Sequence, residues 1–389
     1  MEIPAITPKA ASELPSSSVV NSSSPTSSSS VTRIPSDQID SVFARTSNLA
    51  SSALNSTVLS CSNDYFAAAP NLLNPGPPVH KPGVFVHTGA WYDGWETRRH
   101  NPEPYDWVVI KLGVASGAIE GVEVDTAYFV GNYGEKAELQ GTYAPAGSGV
   151  TDEEISKPEY KGWTTILPAQ ECGPSQRRAW KLNDYDPKNP KPYTHVRLLM
   201  YPDGGFARLR LYGHAIPPPL PSETALSATE ELSSALVGGL ALSASDQHYT
   251  PCSNLILPGR GKDMGDGWET ARSRAPGHVD WAIIRLGLPG SVSKVVVDTK
   301  DFRGNFPRTV TVHGLVEGKE DPSHDHPGWV DLVKGEKATQ ADTEHVFEGD
   351  DLAAGGEDTR VFTHVKLTLI PDGGVKRLRI FGRRANATA

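Results

Sequence analysis

The sequence repeats itself once, and this duplication limits the folds open to the chain more than any other feature. The phrase "DGWETRR" at 93–99 returns as "DGWETAR" at 266–272, and "VEVDTAYFVGN" at 122–132 returns as "VVVDTKDFRGN" at 295–305. The repeats keep the same order and almost the same spacing, and the length difference falls in the loops between them, where insertions are tolerated. Ordered self-similarity of this kind indicates two homologous domains in tandem.

The repeated segments have the length and composition of β-strands. "THVRLLMYPDGGFARLRLYG" at 194–213 corresponds to "THVKLTLIPDGGVKRLRIFG" at 363–382, and a turn divides the apolar runs in each. In that turn the proline presets φ and the glycines accept positive φ, which predicts a link between antiparallel strands. In "RLRLY" arginine alternates with leucine, which predicts one buried face and one wet face. About eight such strands in about 150 residues favour a jelly-roll β-sandwich.

These patterns predict an all-β chain that consists of two tandem, homologous jelly-roll domains. The predicted segments are a disordered Ser- and Pro-rich tail at 1–35, a first repeat at 36–213, a Pro-rich linker with a helix start at 214–234, and a second repeat at 235–384. The tail is assigned to disorder because it lacks the apolar residues that folding requires. An organelle-targeting segment is the weaker alternative, since arginines are few.

A short helix is predicted before each repeat. The first lies within "SDQIDSVFARTSNLASSAL" at 36–54, where Ser36 or Asp37 is the expected N-cap. The second lies within "TEELSSALVGGLAL" at 229–242 and leads into the second repeat.

Charge and cysteine content narrow the classes of partner and compartment. The 389 residues carry a formal net charge of −9 without a basic stripe, which argues against nucleic acid or an anionic membrane as a partner. The apolar runs are far too short to span a membrane. The three cysteines, Cys61, Cys172 and Cys252, are few and odd in number. The N-terminal residues do not resemble a signal peptide, and the C-terminal residues do not resemble a peroxisomal signal. We therefore expect reduced structural thiols in a cytoplasmic protein.

Polar residues that occur in both repeats serve either the fold or a site. For most of them a structural role in a turn, a loop or a strand end is the simpler interpretation. These pairs are Asp106/Asp280, Asp125/Asp298, Asn132/Asn305, His195/His364 and Asp203/Asp372.

The "DGWET" phrase has no such simple explanation. Asp-Gly predicts a turn and tryptophan packs, but the glutamate and arginine that follow project from a loop without an evident local role. An internal Glu–Arg pair and a ligand-binding loop have comparable weight. The two copies also differ, because Arg98 and His100 in the first stand where the second has Ala271 and, nearby, Arg274.

Two long segments resemble the allantoicase family, and most of all its fungal members. They are "PGVFVHTGAWYDGWETRRHNPEPYDWVVIKLG" at 82–113 and "MGDGWETARSRAPGHVDWAIIRLG" at 264–287, and the resemblance extends over about 36–384. It implies two jelly rolls similar to galactose-binding domains. It also implies hydrolysis of allantoate to ureidoglycolate and urea, in the route that recovers nitrogen from purines.

Allantoate is a carboxylate whose α-carbon carries two ureido groups, so the implied substrate needs cations, acceptors and a proton donor. We assign catalytic roles to Glu96 and Glu269, as bases or ureido acceptors, and to His100, as an acid or base. We assign substrate binding to Arg98, Arg99 and Arg272, with Asp93 and Asp266 as second choices.

The cofactor and the oligomeric state are left open by the sequence. A divalent metal would offer another way to activate water, but no clear ligand cluster appears, and no metal ligand is assigned. The nearest grouping, His324, Asp325 and His326, lies in a loop without a counterpart in the first repeat. Self-association into a homo-oligomer is compatible with the sequence.

Two other functions compete with hydrolysis. Jelly rolls often bind sugars without chemistry, and Trp91 or Trp95 could stack on a sugar ring. A scaffold protein would instead present a flat, ligand-free surface at "DGWET".

Overall fold

The computed structural model describes residues 30–219, 228–316, 321–355 and 359–385, so the predicted tail before residue 30 lies outside it. The strands of the first half are β1 (Val31–Ile34), β2 (Ser47–Asn48), β3 (Thr57–Cys61), β4 (Phe85–Val86), β5 (Gly89–Ala90), β6 (Trp95–Glu96), β7 (Asp106–Lys111), β8 (Ser116–Asp125), β9 (Lys136–Thr142), β10 (Thr164–Glu171), β11 (Arg177–Leu182), β12 (His195–Tyr201), β13 (Gly205–Phe206) and β14 (Arg208–Ile216). Those of the second half are β15 (Glu230–Glu231), β16 (Leu240–Ala244), β17 (Trp268–Glu269), β18 (Asp280–Asp298), β19 (Thr309–Leu315), β20 (Val330–Asp331), β21 (Lys337–Ala338), β22 (Glu344–Glu348), β23 (Phe362–Ile370), β24 (Gly374–Val375) and β25 (Arg377–Arg384).

Helices are short throughout the described residues. The α-helices are α1 (Ile39–Val42) and α2 (Asp152–Ile155). Single 3-10 turns occur at Ser52–Leu54, Ala69–Leu73, Ala235–Val237, Cys252–Ile256, Met264–Asp266 and Gly349–Asp351. None of these helices is long and apolar enough to cross a membrane.

The first half is a sandwich of two antiparallel five-stranded sheets. One has the order β1-β11-β8-β14-β2, and the other has the order β10-β9-β12-β7-β3. Val122 and Leu211 from the first sheet and Ile110 and Val196 from the second are fully buried in one apolar core. The strand alternation read from the sequence produces this core, and the predicted all-β sandwich is confirmed.

The second half repeats this architecture with one long strand in place of two. The first part of β18 pairs with β16 and β23, and its second part pairs with β22 and β25. The register shifts between Arg285 and Gly290, where the strand passes from one face to the other. β18 is therefore a single strand that corresponds to both β7 and β8 of the first half. Ile284, Val295 and Val365 are buried in the core between the layers.

The start of each half differs from the sequence prediction. Val31–Ile34, placed in the predicted disordered tail, is an edge strand that pairs with β11, so the tail prediction was wrong there. Helix α1 covers only four residues of the segment 36–54, and Gln38 is its N-cap without a side-chain hydrogen bond. Ser36 donates to the Arg177 carbonyl instead, so neither predicted cap is used.

The predicted helix at 229–242 was also mostly wrong. This segment forms β15, the turn Ala235–Val237 and the beginning of β16. Backbone pairing with β25 and β18 prevails over the local helix preference of these residues.

The two "PDGG" turns do not join neighbouring strands, which corrects the prediction made for them. β12 belongs to one sheet of the first half and β14 to the other, so the turn at 202–205 carries the chain across the sandwich. Gly204 adopts a φ of 131° and its counterpart Gly373 adopts 139°, as the positive-φ argument required. The crossing leaves the turn backbone free to pair with another segment.

Candidate functional site

That other segment is the "DGWET" phrase, and the pairing brings the two most evident repeated motifs together. In the first half β6 pairs with β13, with Glu96 opposite Gly205. In the second half β17 pairs with β24, with Glu269 opposite Gly374. The Thr97 amide donates to the Gly204 carbonyl over 2.8 Å, which closes the junction between the motifs. Each half therefore builds the same short two-stranded ribbon at one end of its sandwich.

The tryptophans of the motif hold this ribbon in place. Trp95 and Trp268 are fully buried, and each indole N–H donates over 2.9 Å to a backbone carbonyl, that of Asn63 and Asp246 respectively. A buried tryptophan with its donor satisfied is part of the core. Trp95 is therefore not the sugar-stacking platform that the binding-module hypothesis requires.

The glutamates are held by asparagines that the sequence analysis treated as turn residues. The Asn132 side-chain amide donates to Glu96 Oε1 over 2.7 Å, and Asn305 donates to Glu269 Oε1 over 2.5 Å. Both asparagines belong to the repeated "GN" dipeptide, and that repetition was the signal that could have placed them in the site. A fixed carboxylate results in each half.

The two glutamates differ in their environment. Glu96 is only 3% exposed, whereas Glu269 is partly exposed. Burial raises the pKa of the Glu96 carboxyl, while the Asn132 hydrogen bond and the Arg99 charge oppose that rise. Glu96 is thus the better candidate for a carboxyl that holds a proton and delivers it.

Arg99 and Arg272, which the sequence analysis assigned to substrate binding, lie near these glutamates. Both are exposed, and an Arg272 Nη donates to the Gly304 carbonyl over 3.3 Å. In the second half, glutamate and arginine share a cavity of about 180 Å³. Its lining consists of Tyr249, Glu269, Thr270, Arg272, Gly304, Asn305, Phe306, Asp372 and Gly373.

Arg98 and His100 lie at the outer rim of the first-half site. The Arg98 guanidinium stands over the Tyr65 ring, 5.3 Å from its centroid. His100 is exposed with a φ of 60°, and its backbone N–H donates to Asp203 Oδ2 over 2.8 Å. In the second half the same bond to Asp372 comes from Ser273, so Ser273, not Arg274, is the structural counterpart of His100.

Asp93 and Asp266, the second-choice substrate ligands, are occupied by ion pairs. Asp93 Oδ2 lies 2.6 Å from an Arg208 Nη, and Asp266 Oδ1 lies 2.5 Å from Lys376 Nζ. Arg208, which the alternating pattern placed on a wet face, is 2% exposed. These contacts assign both aspartates to holding the loop, which argues against their predicted role as substrate ligands.

Buried Arg208 is the main structural support of the loop. Its guanidinium donates to the backbone carbonyls of Asn71, Gly76, Pro77 and Asp93 as well as to the Asp93 carboxylate. Arg377 does the same in the second half, through the Gly259 and Asp266 carbonyls. The Asn71 side chain adds a bond to the Gly94 carbonyl, which Asn254 repeats on Gly267.

No group of three or more His, Cys, Asp or Glu among the described residues is arranged to hold a metal ion. In the loop that carried the weak metal grouping, His324 stacks on Trp281 with ring centroids 4.7 Å apart. His326 Nδ1 accepts the Gly328 N–H over 3.1 Å. Among the described residues, His324, Asp325 and His326 therefore do not form a metal-ligand cluster.

The arrangement pairs a fixed carboxyl group with a solvent-facing arginine in each half. Arginine can bind a carboxylate with two parallel hydrogen bonds. A carboxyl group within reach of the same ligand can exchange a proton with it or accept its N–H groups. The site therefore suits a small anion that carries N–H donors.

Comparison with known proteins agrees with the duplication and with the fold. The Allantoicase repeat, a family sequence pattern, matches residues 47–216 and 230–385. The allantoicase of Neurospora crassa is 54% identical over 91% of this chain and 96% of its own length, and a probable allantoicase of Schizosaccharomyces pombe is 46% identical over 91% and 98%. The crystal structure of allantoicase from Saccharomyces cerevisiae superposes with a TM-score of 0.74 at 40% identity, over 90% of this chain and 99% of that one. The chain belongs to the allantoicase family.

Proposed function

We propose that this chain hydrolyses allantoate to ureidoglycolate and urea in purine degradation. The observation that carries the proposal is the Glu–Asn–Arg arrangement present in both halves of a chain that matches the allantoicases over nearly its whole length. Water supplies the oxygen: a C–O bond forms at the α-carbon of allantoate while one C–N bond to a ureido group breaks. The released nitrogen gains a proton and leaves as urea.

The substrate carboxylate is assigned to Arg99 in the first half and to Arg272 in the second. Both residues are exposed, and an arginine guanidinium can bind a carboxylate through two hydrogen bonds. The ureido N–H groups then point toward the glutamate that Asn132 or Asn305 holds. Binding at two points fixes the α-carbon relative to the attacking water.

The departing nitrogen requires an acid, and Glu96 is our assignment for the first half. Burial raises the pKa of its carboxyl, which favours the protonated form needed for this step. General acid catalysis by one such group contributes about 10²- to 10⁴-fold to a rate. Glu269 is more exposed and lies in the second-half cavity, where we assign it to accepting the ureido N–H groups. His100 is kept as a rim residue that contacts substrate in the first half only.

The direct experiment is to incubate the purified chain with allantoate and quantify urea and ureidoglycolate together. We expect equal amounts of the two products. Glu348→Gln is a suitable control variant, because Glu348 is exposed on β22 and should leave the rate unchanged. Tight binding of allantoate without any urea would instead favour a non-catalytic binding module.

We also propose a cytoplasmic location for the protein. The sparse cysteines, all free in the described residues, are consistent with the predicted cytoplasmic location. Fractionation of cells that produce the tagged chain would test this. Light scattering on the purified protein would decide between a monomer and the homo-oligomer that the sequence left open.

A further inference from the structure

A second charged cluster lies at the end of the first sandwich that is opposite the "DGWET" ribbon. Lys111 ends β7 and His195 begins β12, and the two residues are direct partners in the antiparallel register. β12 runs for 7 residues to Tyr201, which precedes the "PDGG" turn of the ribbon. At about 3.3 Å per residue, about 20 Å separates the two ends. The cluster is therefore distinct from the site described above.

Asp152 connects the members of this cluster. Its Oδ2 lies 2.6 Å from Lys111 Nζ, and its Oδ1 lies 3.1 Å from His195 Nε2. The other ring nitrogen of His195, Nδ1, lies 2.9 Å from Thr194 Oγ1. The buried imidazole is thus fixed at both nitrogens. The side chains of Lys111 and Asp152 are each 46% exposed, so both charges are accessible to a ligand.

The cluster opens into a cavity of about 400 Å³. Its lining consists of 111–115, 144–147, 150–152, Thr194 and His195. This volume is within the range of small-molecule sites, which are typically about 300–1,000 Å³. The cavity offers one cation and one carboxylate side by side, between walls of small apolar residues.

The second half provides an internal comparison, because the same pair of strand positions lies side by side there. Arg285 and His364 occupy the same paired positions, and Thr363 Oγ1 again lies 2.9 Å from the His364 Nδ1. The nearby Asp321, however, forms an ion pair with Arg45 at 2.6 Å, and among the described residues His364 Nε2 has no hydrogen-bond partner. Among the described residues of the second half, no carboxylate bridges Arg285 and His364 as Asp152 bridges Lys111 and His195.

We propose that the Lys111–Asp152–His195 cavity is a second, separate binding site for a small carboxylate that carries N–H donors, such as a ureido acid. Lys111 binds the carboxylate of the ligand, and Asp152, held in place by His195, accepts its N–H groups. Each carboxylate oxygen has two lone pairs, so Asp152 can keep its present contacts and accept further bonds. The choice of a ureido group rests on the proposed function, since allantoate and ureidoglycolate are both carboxylates that carry one.

The test is a calorimetric titration of the full chain with hydantoate, an unreactive carboxylate that bears a single ureido group. We expect Asp152→Asn and Lys111→Met each to remove one binding site per chain, or to weaken it at least tenfold. Arg285→Met is the matched control, because it alters the counterpart of Lys111 in the second half and leaves the first-half cavity intact. Thermal unfolding of each variant verifies that it is folded.

The proposal is overturned if wild type binds no hydantoate, or if the number and affinity of its sites are the same in Asp152→Asn and Lys111→Met. It is also overturned if Arg285→Met removes the same site. Urea release from allantoate, measured on the same wild-type sample, separates the two proposals. If Asp152→Asn loses a hydantoate site but the wild-type protein releases no urea, the proposed binding site is supported and the hydrolytic function is refuted.

Discussion

The side-chain amide of Asn132 donates a hydrogen bond to Oε1 of Glu96 across 2.7 Å. The bond joins two loops that are far apart in sequence, and the second half reproduces it between Asn305 and Glu269. A buried carboxyl without a partner would be costly, so the amide both compensates Glu96 and fixes its direction. We regard this pair as the centre of the site in each half.

Removing the amide should disturb the acid more than the fold. In Asn132→Ala we expect the pKa of Glu96 to rise further, because the lost hydrogen bond stabilises the ionised carboxylate. We expect kcat of the first-half site to fall about 10- to 100-fold, because the carboxyl loses the hydrogen bond that fixes its direction toward the substrate. The pH–rate profile checks the shift, and Asn189→Ala on an exposed loop serves as control. An unchanged profile in Asn132→Ala would contradict the pairing as a functional element.

Burial of Glu96 should make stability depend on pH. Its pKa is raised in the folded chain, so the folded state binds the proton more tightly than the unfolded state, whose glutamate pKa is about 4.3. The stabilisation that Glu96 contributes is therefore complete below the unfolded pKa and is lost as the pH rises through the higher pKa of the folded chain. The difference in unfolding free energy, Glu96→Gln minus wild type, should therefore be larger at pH 7 than at pH 4. Urea denaturation at both values measures it, and a pH-independent difference would contradict the raised pKa.

The arginines should act in binding more than in chemistry. Loss of a charged hydrogen bond costs about 1.5–3 kcal/mol, so Arg99→Met and Arg272→Met should each raise the KM of the site in its own half about 10- to 100-fold. We expect kcat to change much less, as for an interaction made equally in the ground state and the transition state. Initial-rate kinetics over a wide range of allantoate concentrations separate the two parameters. A fall in kcat at constant KM would assign these arginines to the transition state instead.

The Asp93–Arg208 pair should contribute to stability. Arg208 is 2% exposed and the Asp93 side chain is 10% exposed, and removing one partner of a buried pair typically costs about 3–5 kcal/mol. Asp93→Asn should therefore unfold at a clearly lower denaturant concentration than wild type. Asp184→Asn, which breaks a surface pair with Lys191, should cost at most about 1 kcal/mol. Equal effects of the two variants would show that Asp93 is not a structural anchor.

The thiols should be inert in the native chain. Burial raises the pKa of Cys61 to about 11 and that of Cys172 to about 12, so little thiolate is present near neutrality. Iodoacetamide at pH 7.5 should leave urea release unchanged while labelling all three cysteines after unfolding. Rapid inactivation of the native enzyme would indicate a thiol in the site.

The sequence was sufficient for the architecture because alternation and duplication are local signals. It failed where long-range pairing decides the outcome. Arg208 looked like one of several arginines on a wet strand face, yet the carbonyls that surround it come from loops more than a hundred residues away. Likewise the "PDGG" turn has the residues typical of a hairpin turn, but it crosses between sheets and pairs with β6.

The site was predicted only in part for the same reason. Glu96, Arg99 and Arg272 could be proposed because they stand in one repeated phrase. Asn132 lies on another loop, and only the folded chain brings its amide to the carboxylate. Asp152 has no repeated motif around it, so the Lys111–Asp152–His195 cluster could not be assembled from sequence at all.

The most direct test of the account is urea release from allantoate by Glu96→Gln, Glu269→Gln and the double variant, each verified as folded. We predict that each single variant loses the urea release that its own half contributes and that the double variant releases no urea above the uncatalysed rate. Wild-type rates in the double variant would contradict the assignment of both glutamates and, with them, the site proposed here.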